Sequence, residues 1–256
     1  MKLAVYQGAP TDGDEAGAFA RIERCLAASA AMGAELVVFP ELFLPGYNRP
    51  DLHPVRAQVQ GGDWEQRLAA MCGAAGCGLA VGWAERDGQD VHNSASCFDR
   101  TGQKLAHYRK VQLFGPMERS VFRPGDAYCL FDLGGYRAAL LICYDVEFAH
   151  HVRALSEQGA EVILVPTANP AGFGNVSDLL VPARAMEMAL TVAYANYHGT
   201  EAGLAFGGRS VIAGPDGNIL SKAGPGEALL IVDLAATRAV DTNVLSTQQQ
   251  DKRDLG

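Results

Sequence analysis

Two segments of this chain repeat one another. Met32-Gly-Ala-Glu-Leu-Val-Val-Phe-Pro-Glu41 and Gln158-Gly-Ala-Glu-Val-Ile-Leu-Val-Pro-Thr167 stand 126 positions apart and share Gly, Ala, Glu and Pro in one order. Each reads as a helix end, a glycine stop, a run of four apolar residues and a proline. A short apolar run bounded in this way is a strand buried on both faces, which needs a second layer over each side. Any junction between a helix and a buried strand favours glycine and β-branched residues, and ten positions is short. The shared order nevertheless points to two α/β halves of similar build. If the sheets of the two halves face each other with helices outside, the loops after their strands meet over one pocket. Glu41, Cys143 and Thr167 are then expected to be neighbours despite their separation in sequence.

The remaining pattern fits this frame. Lys2–Gln7 alternates as a strand, and residues 14–32 form an Ala-rich helix with Phe19, Ile22 and Leu26 on one face, closed by Gly33. Strand 35–39 is followed by a Pro- and Gly-containing loop over 42–48. Residues 63–75 read as a helix with Asp63 as its N-cap. Strands are expected over 77–84, 91–98 and 103–108, then a long polar loop over 109–126. A hairpin pairs 128–133 with 136–142 about Gly134-Gly135. Then come a helix over 148–158, the strand 161–165, a loop over 166–175 and a helix over 177–190. Pro215-Asp-Gly217 marks a late hairpin turn.

Within that frame, Cys143 is the first residue past the apolar run of its strand, with Tyr144, Asp145 and Glu147 directly behind it. Free cysteine is among the most buried residue types, so most such residues only pack. A thiol at a strand exit beside a turn and a helix start is also a good place for a nucleophile. Unpaired turn N–H groups and the positive end of a helix dipole favour thiolate and oxyanion. The loop over 109–126 adds a cation, Lys110, and a carboxylate, Glu118. Lys110 in a cleft would lower the thiol's pKa and donate to an oxyanion, and Glu41 would serve as a general base. Taken singly, loop lysines and glutamates are usually solvated, so only the combination carries weight.

Composition narrows the classes. A chain of 256 residues with 48% hydrophobic and 20% charged residues has the balance of an ordinary globular protein. A net charge of −8 without a basic patch argues against a nucleic-acid partner. No segment approaches membrane-spanning length, and the opening Met-Lys-Leu-Ala-Val-Tyr lacks the long apolar run of a signal peptide. The six cysteines lie scattered in hydrophobic segments, which predicts a reduced, cytoplasmic protein. Cys72 and Cys77 have no second ligand pair to complete a zinc site, so no metal is expected.

Three blocks together, Val38-Phe-Pro-Glu41, Tyr108-Arg-Lys-Val-Gln-Leu-Phe-Gly115 and Leu141-Ile-Cys-Tyr-Asp-Val-Glu-Phe148, resemble the nitrilase superfamily of carbon–nitrogen hydrolases. They occur in the family's order, with matching context from the first strand to about Asp233. The resemblance implies one carbon–nitrogen hydrolase domain over residues 1–256, with a core over about 1–233 and a polar tail over about 234–256. It implies a four-layer αββα sandwich and an amide-hydrolysing triad that needs no cofactor. Carried over residue by residue, Glu41 is the base, Lys110 the oxyanion stabiliser and Cys143 the nucleophile. Glu118 matches an additional active-site glutamate, and the Tyr144 N–H completes the oxyanion hole. A homodimer or larger homo-oligomer is also implied.

Substrate choice is expected near Glu147. Many relatives carry Arg at that place, suited to a substrate carboxylate, so the inverted charge points to an amino group on the substrate. The alternative is a helix-start carboxylate that complements the dipole. The pattern Tyr6-Gln-Gly-Ala-Pro10, Gly46-Tyr-Asn48, Ile142–Phe148 and Pro166-Thr-Ala-Asn169 is most similar to 5-aminopentanamidase and related stereoselective amidases, which implies Asn169 as a further substrate-binding residue. The chain departs from those relatives at Phe148-Ala-His-His151, where they continue Phe-Pro-Glu, a change that bears on the local helix start. A cysteine amidase for a small aliphatic amide is therefore expected. The same triad would also serve a nitrilase or an N-carbamoyl amide hydrolase. A binding module without catalysis is the reading from another class, against which the four intact residues speak.

Overall fold

The computed structural model describes residues 1–253. In chain order it contains β1 (Lys2–Gln7), α1 (Glu15–Ala31), β2 (Leu36–Val38), α2 (His53–Arg56), α3 (Asp63–Ala75), β3 (Gly78–Asp87), β4 (Asp90–Phe98) and β5 (Lys104–Arg109). Next come α4 (Gly115–Val121), β6 (Leu130–Leu133), β7 (Tyr136–Leu140), a 3-10 turn (Cys143–Glu147), α5 (Ala149–Glu157) and β8 (Val162–Pro166). The last third has α6 (Val181–Met188), β9 (Thr191–Ala195), β10 (His198–Glu201), β11 (Leu204–Gly207), β12 (Val211–Ala213), β13 (Ile219–Lys222) and β14 (Ala228–Asp233).

The strands form two six-stranded sheets, β14-β1-β2-β3-β4-β5 and β13-β12-β9-β8-β7-β6, and β10 and β11 make a separate ribbon. Period-two alternation decides which side chain meets which layer. In the first sheet Leu3, Val5, Leu36 and Val38 pack in one core with Ala139, Ile163, Val165 and Val192 of the second. The alternate residues Ala4, Val37, Leu79 and Val81 pack against Phe19, Ile22 and Leu26 of α1 and Trp64 and Leu68 of α3. Val152 and Leu155 of α5 and Val181 and Ala185 of α6 cover the second sheet from outside. Each fully buried large side chain contributes roughly 1.5–3 kcal/mol. The result is the expected four layers, helix, sheet, sheet, helix.

The internal echo becomes a structural one. β2 lies between β1 and β3 and β8 between β7 and β9, parallel on both sides in each case. The glycines that open them, Gly33 and Gly159, both have positive φ, which ends the preceding helices. The two copies also touch, since the Glu41 N–H donates to the Thr167 carbonyl at 3.3 Å.

Several local expectations are corrected. Gly62 caps α3 without a side-chain bond and Asp63 is its first residue, where its charge still suits the helix start. The loop over 109–126 contains α4, started by Pro116, whose fixed φ suits a first turn. The helix expected over 177–190 opens as a π-helical turn, Val176–Leu180, in which the Val181 N–H reaches back to Val176. Pro182, which has no N–H to give, follows directly. α5 begins at Ala149 with Phe148 as an extended N-cap, so the missing Pro and Glu do not prevent the helix. Of the polar run that closes the tail, residues 254–256 lie outside the described residues. Among the described residues, no helix is long and apolar enough to cross a membrane, and no group of three or more His, Cys, Asp or Glu is arranged to hold a metal.

Candidate active site

Three strand ends and one short helix deliver Glu41, Lys110, Cys143 and Glu118 to one buried place. Glu41 follows β2 and crosses directly over β3. That crossing requires Gly82, since a Cβ there would stand 2.4 Å from Leu42 N and 2.7 Å from Glu41 Cα. The Glu41 backbone is then fixed by Thr167 and by the Tyr197 hydroxyl, which donates to its carbonyl at 2.9 Å. Lys110 directly follows β5, and its N–H bonds the Asn93 carbonyl of β4 at 2.8 Å. Glu118 hangs from α4, where it accepts the Phe114 N–H at 3.0 Å and the Tyr47 hydroxyl at 2.8 Å. Cys143 follows β7 with φ of 45°, a left-handed conformation rare for a residue with a Cβ and costing about 1–3 kcal/mol. Strain of this kind persists only where the surroundings enforce it.

Lys110 lies between two carboxylates. Its Nζ is 2.6 Å from Glu41 Oε1 and 2.8 Å from Glu118 Oε1, and all three side chains are fully buried. Asn93 Nδ2 also donates to Glu41 Oε1, at 2.7 Å. One oxygen of Glu41 is therefore saturated, while Oε2 is buried without a hydrogen-bond partner among the described residues. That bare oxygen is the site from which Glu41 can take a proton. Burial raises the Glu41 pKa, an effect that Lys110 opposes and Glu118 reinforces. Burial would neutralise Lys110, but Glu118 and Glu41 overcome it and hold the ammonium above its ordinary range. One cation facing two carboxylates leaves a surplus negative charge, so a proton on Glu41 is cheap.

The thiol corrects one expectation. Cys143 is 7% exposed, and burial, with the charge of Glu41, raises its pKa well above the ordinary value. Lys110, the Thr167 hydroxyl and the Ala168 N–H oppose this without reversing it. The α-helix dipole does not help, because a 3-10 turn separates Cys143 from α5. The resting sulfur is thus a thiol, with the carboxylate of Glu41 in the same buried cluster.

Around this centre, Tyr144 is half-buried, with its ring 5.2 Å from Phe114 and 4.8 Å from Phe148 in edge-on contacts. Phe114 in turn meets the exposed Phe173 at 5.9 Å, making an aromatic wall from the residue after Cys143 out to solvent. Glu147 is half-buried at the end of the 3-10 turn. Burial raises its pKa, while Lys110 and Arg184 pull it down. Arg184 bonds the Glu147 carbonyl at 3.0 Å and pairs with Glu187, three residues on in the same helix, at 2.8 Å. Asn169 is buried and donates its side-chain amide to the Phe173 carbonyl, so it shapes the loop beneath the wall. The His150–His151 pair gives no dyad with Cys143, for His151 bonds Tyr128 and Gln112 instead. Cys72 and Cys77 are buried free thiols.

Asn93, Tyr47, Tyr197 and Asp145 are the residues that the sequence reading did not assign. Asn93 lies inside a strand and reads as part of its alternation. The only available signal was a carboxamide followed by the small and apolar run Ser94-Ala-Ser-Cys-Phe98.

Comparison with known proteins agrees with this arrangement. The carbon-nitrogen hydrolase family matches residues 2–243. The chain is 41% identical over 257 residues to a Pseudomonas protegens protein described as a hydrolase in the pqqF 5' region, covering 99% of this chain and 89% of that one. It is 35% identical to an (R)-stereoselective amidase from a Pseudomonas species, over 91% of this chain and 85% of that one. Among solved structures, an amidase from Nesterenkonia sp. AN1 with acrylamide added at its active-site cysteine superposes with a TM-score of 0.85. It shares 36% identity and covers 94% of this chain and 96% of that one. A cysteine-to-alanine mutant of the same amidase in complex with butyramide gives 0.89 at 35% identity, over 99% and 94%.

Proposed function

Since the chain belongs to the carbon-nitrogen hydrolase family and is an amide-hydrolysing enzyme with a cysteine-dependent mechanism, we propose that Cys143 carries the acyl group of a small aliphatic amide. The observation that supports this best is the Oε2 of Glu41, without a partner among the described residues, in a buried cluster that also holds Lys110, Glu118 and Cys143. Glu41 Oε2 takes the thiol proton as the sulfur adds to the carbonyl carbon. The transfer moves charge within the cluster without changing its total. Lys110 Nζ and the Tyr144 N–H receive the developing oxyanion. Collapse breaks the carbon–nitrogen bond, and the proton on Glu41 leaves with the amine as ammonia. A water deprotonated by Glu41 then cleaves the thioester, giving the carboxylic acid and the free thiol. Glu118 holds the ammonium in place throughout.

The substrate reading is an amide with a distal amino group, of the kind 5-aminopentanamide represents. Glu147 supplies a half-buried carboxylate near the cluster, and the Phe114–Tyr144–Phe148 rings suit an alkyl chain and the face of a cation. Butyramide in the Nesterenkonia amidase is an aliphatic amide of similar length. Exposed Leu179, Met186, Ile219 and Leu220 near α6 support a homodimer or larger assembly, which light scattering decides. Six free thiols fit a reducing, cytoplasmic setting.

Ammonia release from matched aliphatic amides, ω-amino-amides, N-carbamoyl compounds and nitriles tests the reading. Amides are expected to turn over, Cys143→Ala is expected to be inert, and Glu147→Gln is expected to lose its preference for amino-amides. Release from nitriles alone, or an unchanged preference in Glu147→Gln, would contradict it.

A further inference from the structure

Asp145 is fully buried two residues beyond Cys143, and its carboxylate bonds both the cysteine turn and the lysine segment. Its Oδ2 accepts the Ile142 N–H at 3.0 Å and the Tyr108 hydroxyl at 2.8 Å, while Oδ1 accepts the Gln112 N–H at 2.7 Å. Ile142 immediately precedes Cys143. Tyr108 and Gln112 stand two residues before and two residues after Lys110. One carboxylate thus grips the nucleophile's turn and both flanks of the cation.

The other backbone ties near these two residues hold each within its own half. Lys110 is bonded to Asn93 and Gly125, on the side of the first sheet, and Leu141 to Leu164 in the second. The contact between Glu41 and Thr167 crosses between the sheets but registers the base, not the ammonium. We propose that Asp145 is a positioning residue that fixes Lys110 against Cys143, and so sets whether the ammonium reaches the oxygen that gains charge when the sulfur adds. This rests on the acyl-transfer reading above. A carboxylate is the group for the task because all three partners are donors, and only an anion with two bare oxygens accepts them together.

Asp145→Asn separates this role from simple capping of the 3-10 turn. The carboxamide keeps the shape but turns one acceptor into a donor. In one orientation it loses the Gln112 N–H, and in the other it loses the Ile142 N–H and forces the Tyr108 hydroxyl to turn from donor to acceptor. A displacement of about 1 Å in a reacting group can lower the rate about 100-fold. The variant, checked as folded by its thermal melt, is expected to lose about that factor in kcat on the best amide substrate, with KM within about twofold of wild type. Alkylation of Cys143 by iodoacetamide, followed on the isolated peptide at one neutral pH, is expected to slow as well. A folded variant with wild-type kcat and alkylation rate overturns the proposal. So does a loss of kcat that only tracks the unfolded fraction. If Asp145→Asn does not fold, Tyr108→Phe leaves both backbone bonds in place and is expected to slow kcat and alkylation about fivefold; unchanged rates there overturn the proposal. If no amide is turned over by wild type, the acyl-transfer reading has failed, and the alkylation rate alone still decides the positioning role.

Discussion

Asn93→Ala tests how the proposed base, Glu41, is tuned. The side chain donates to the same Glu41 oxygen that Lys110 holds, and this bond favours the ionised carboxylate. A hydrogen bond to a charged group is worth about 1.5–3 kcal/mol, and one pKa unit corresponds to about 1.4 kcal/mol. Removing the bond should therefore raise the Glu41 pKa by about one to two units, less whatever a water in the vacated space restores. The backbone tie between the Lys110 N–H and the Asn93 carbonyl survives the substitution, so Lys110 stays in register. The assay is kcat/KM for an amide across pH. Glu41 must be ionised to accept the thiol proton, so activity rises with pH through its pKa in the free enzyme. The variant's rising limb should move to higher pH by about one unit or more, with a loss of about tenfold at pH values below the limb and little loss above it. A limb that stays in place while activity falls uniformly would refute the idea that Asn93 acts through the ionisation of Glu41.

Two further outcomes follow from the packing and the charges. Gly82→Ala should cost about 1–3 kcal/mol, read as a lower melting temperature, and should lower activity more than an equally destabilising change in α1, because the new Cβ presses on the backbone of Glu41 itself. Glu85 is buried; burial would raise its pKa, but bonds from His107, Arg109 and Ser94 bring it below the usual carboxylate range. A depressed folded-state pKa contributes stability above the unfolded value, about 4.3, that is lost as pH falls toward the folded one. Glu85→Gln should accordingly lower the neutral-pH melting temperature and flatten its decline in acid, and an unchanged acid slope would contradict this.

What the sequence disclosed and what it hid have physical reasons. The echoed Gly-Ala-Glu-apolar-Pro segments were legible because a strand buried between layers needs a continuous apolar run, and both became central strands of their sheets. Glu41, Lys110, Glu118 and Cys143 were legible because each is a polar residue placed where an apolar or Gly/Pro pattern stops. Asn93 was hidden inside the alternation of β4. Tyr47 and Tyr197 carried no role in the sequence, since only the tips of their buried rings, the hydroxyls, reach the site. α4 was concealed by its own Gly115-Pro116 start, which signals a loop as readily as a helix. The sign of the thiol's shift was beyond the sequence, because burial outweighs the neighbouring cation only at the depth that folding sets. Glu147 was found as a charge out of place, but the cation of Arg184 beside it was not.

The claim at the centre is that Cys143 is acylated during turnover. Wild-type enzyme quenched in acid within the first turnovers on an aliphatic amide, digested and weighed by mass spectrometry, answers it directly. The Cys143 peptide is expected to gain the mass of the amide less ammonia, and the other five cysteines are expected to carry no adduct. Ammonia released at the wild-type rate with no adduct on Cys143, together with continued release by Cys143→Ala, would contradict it.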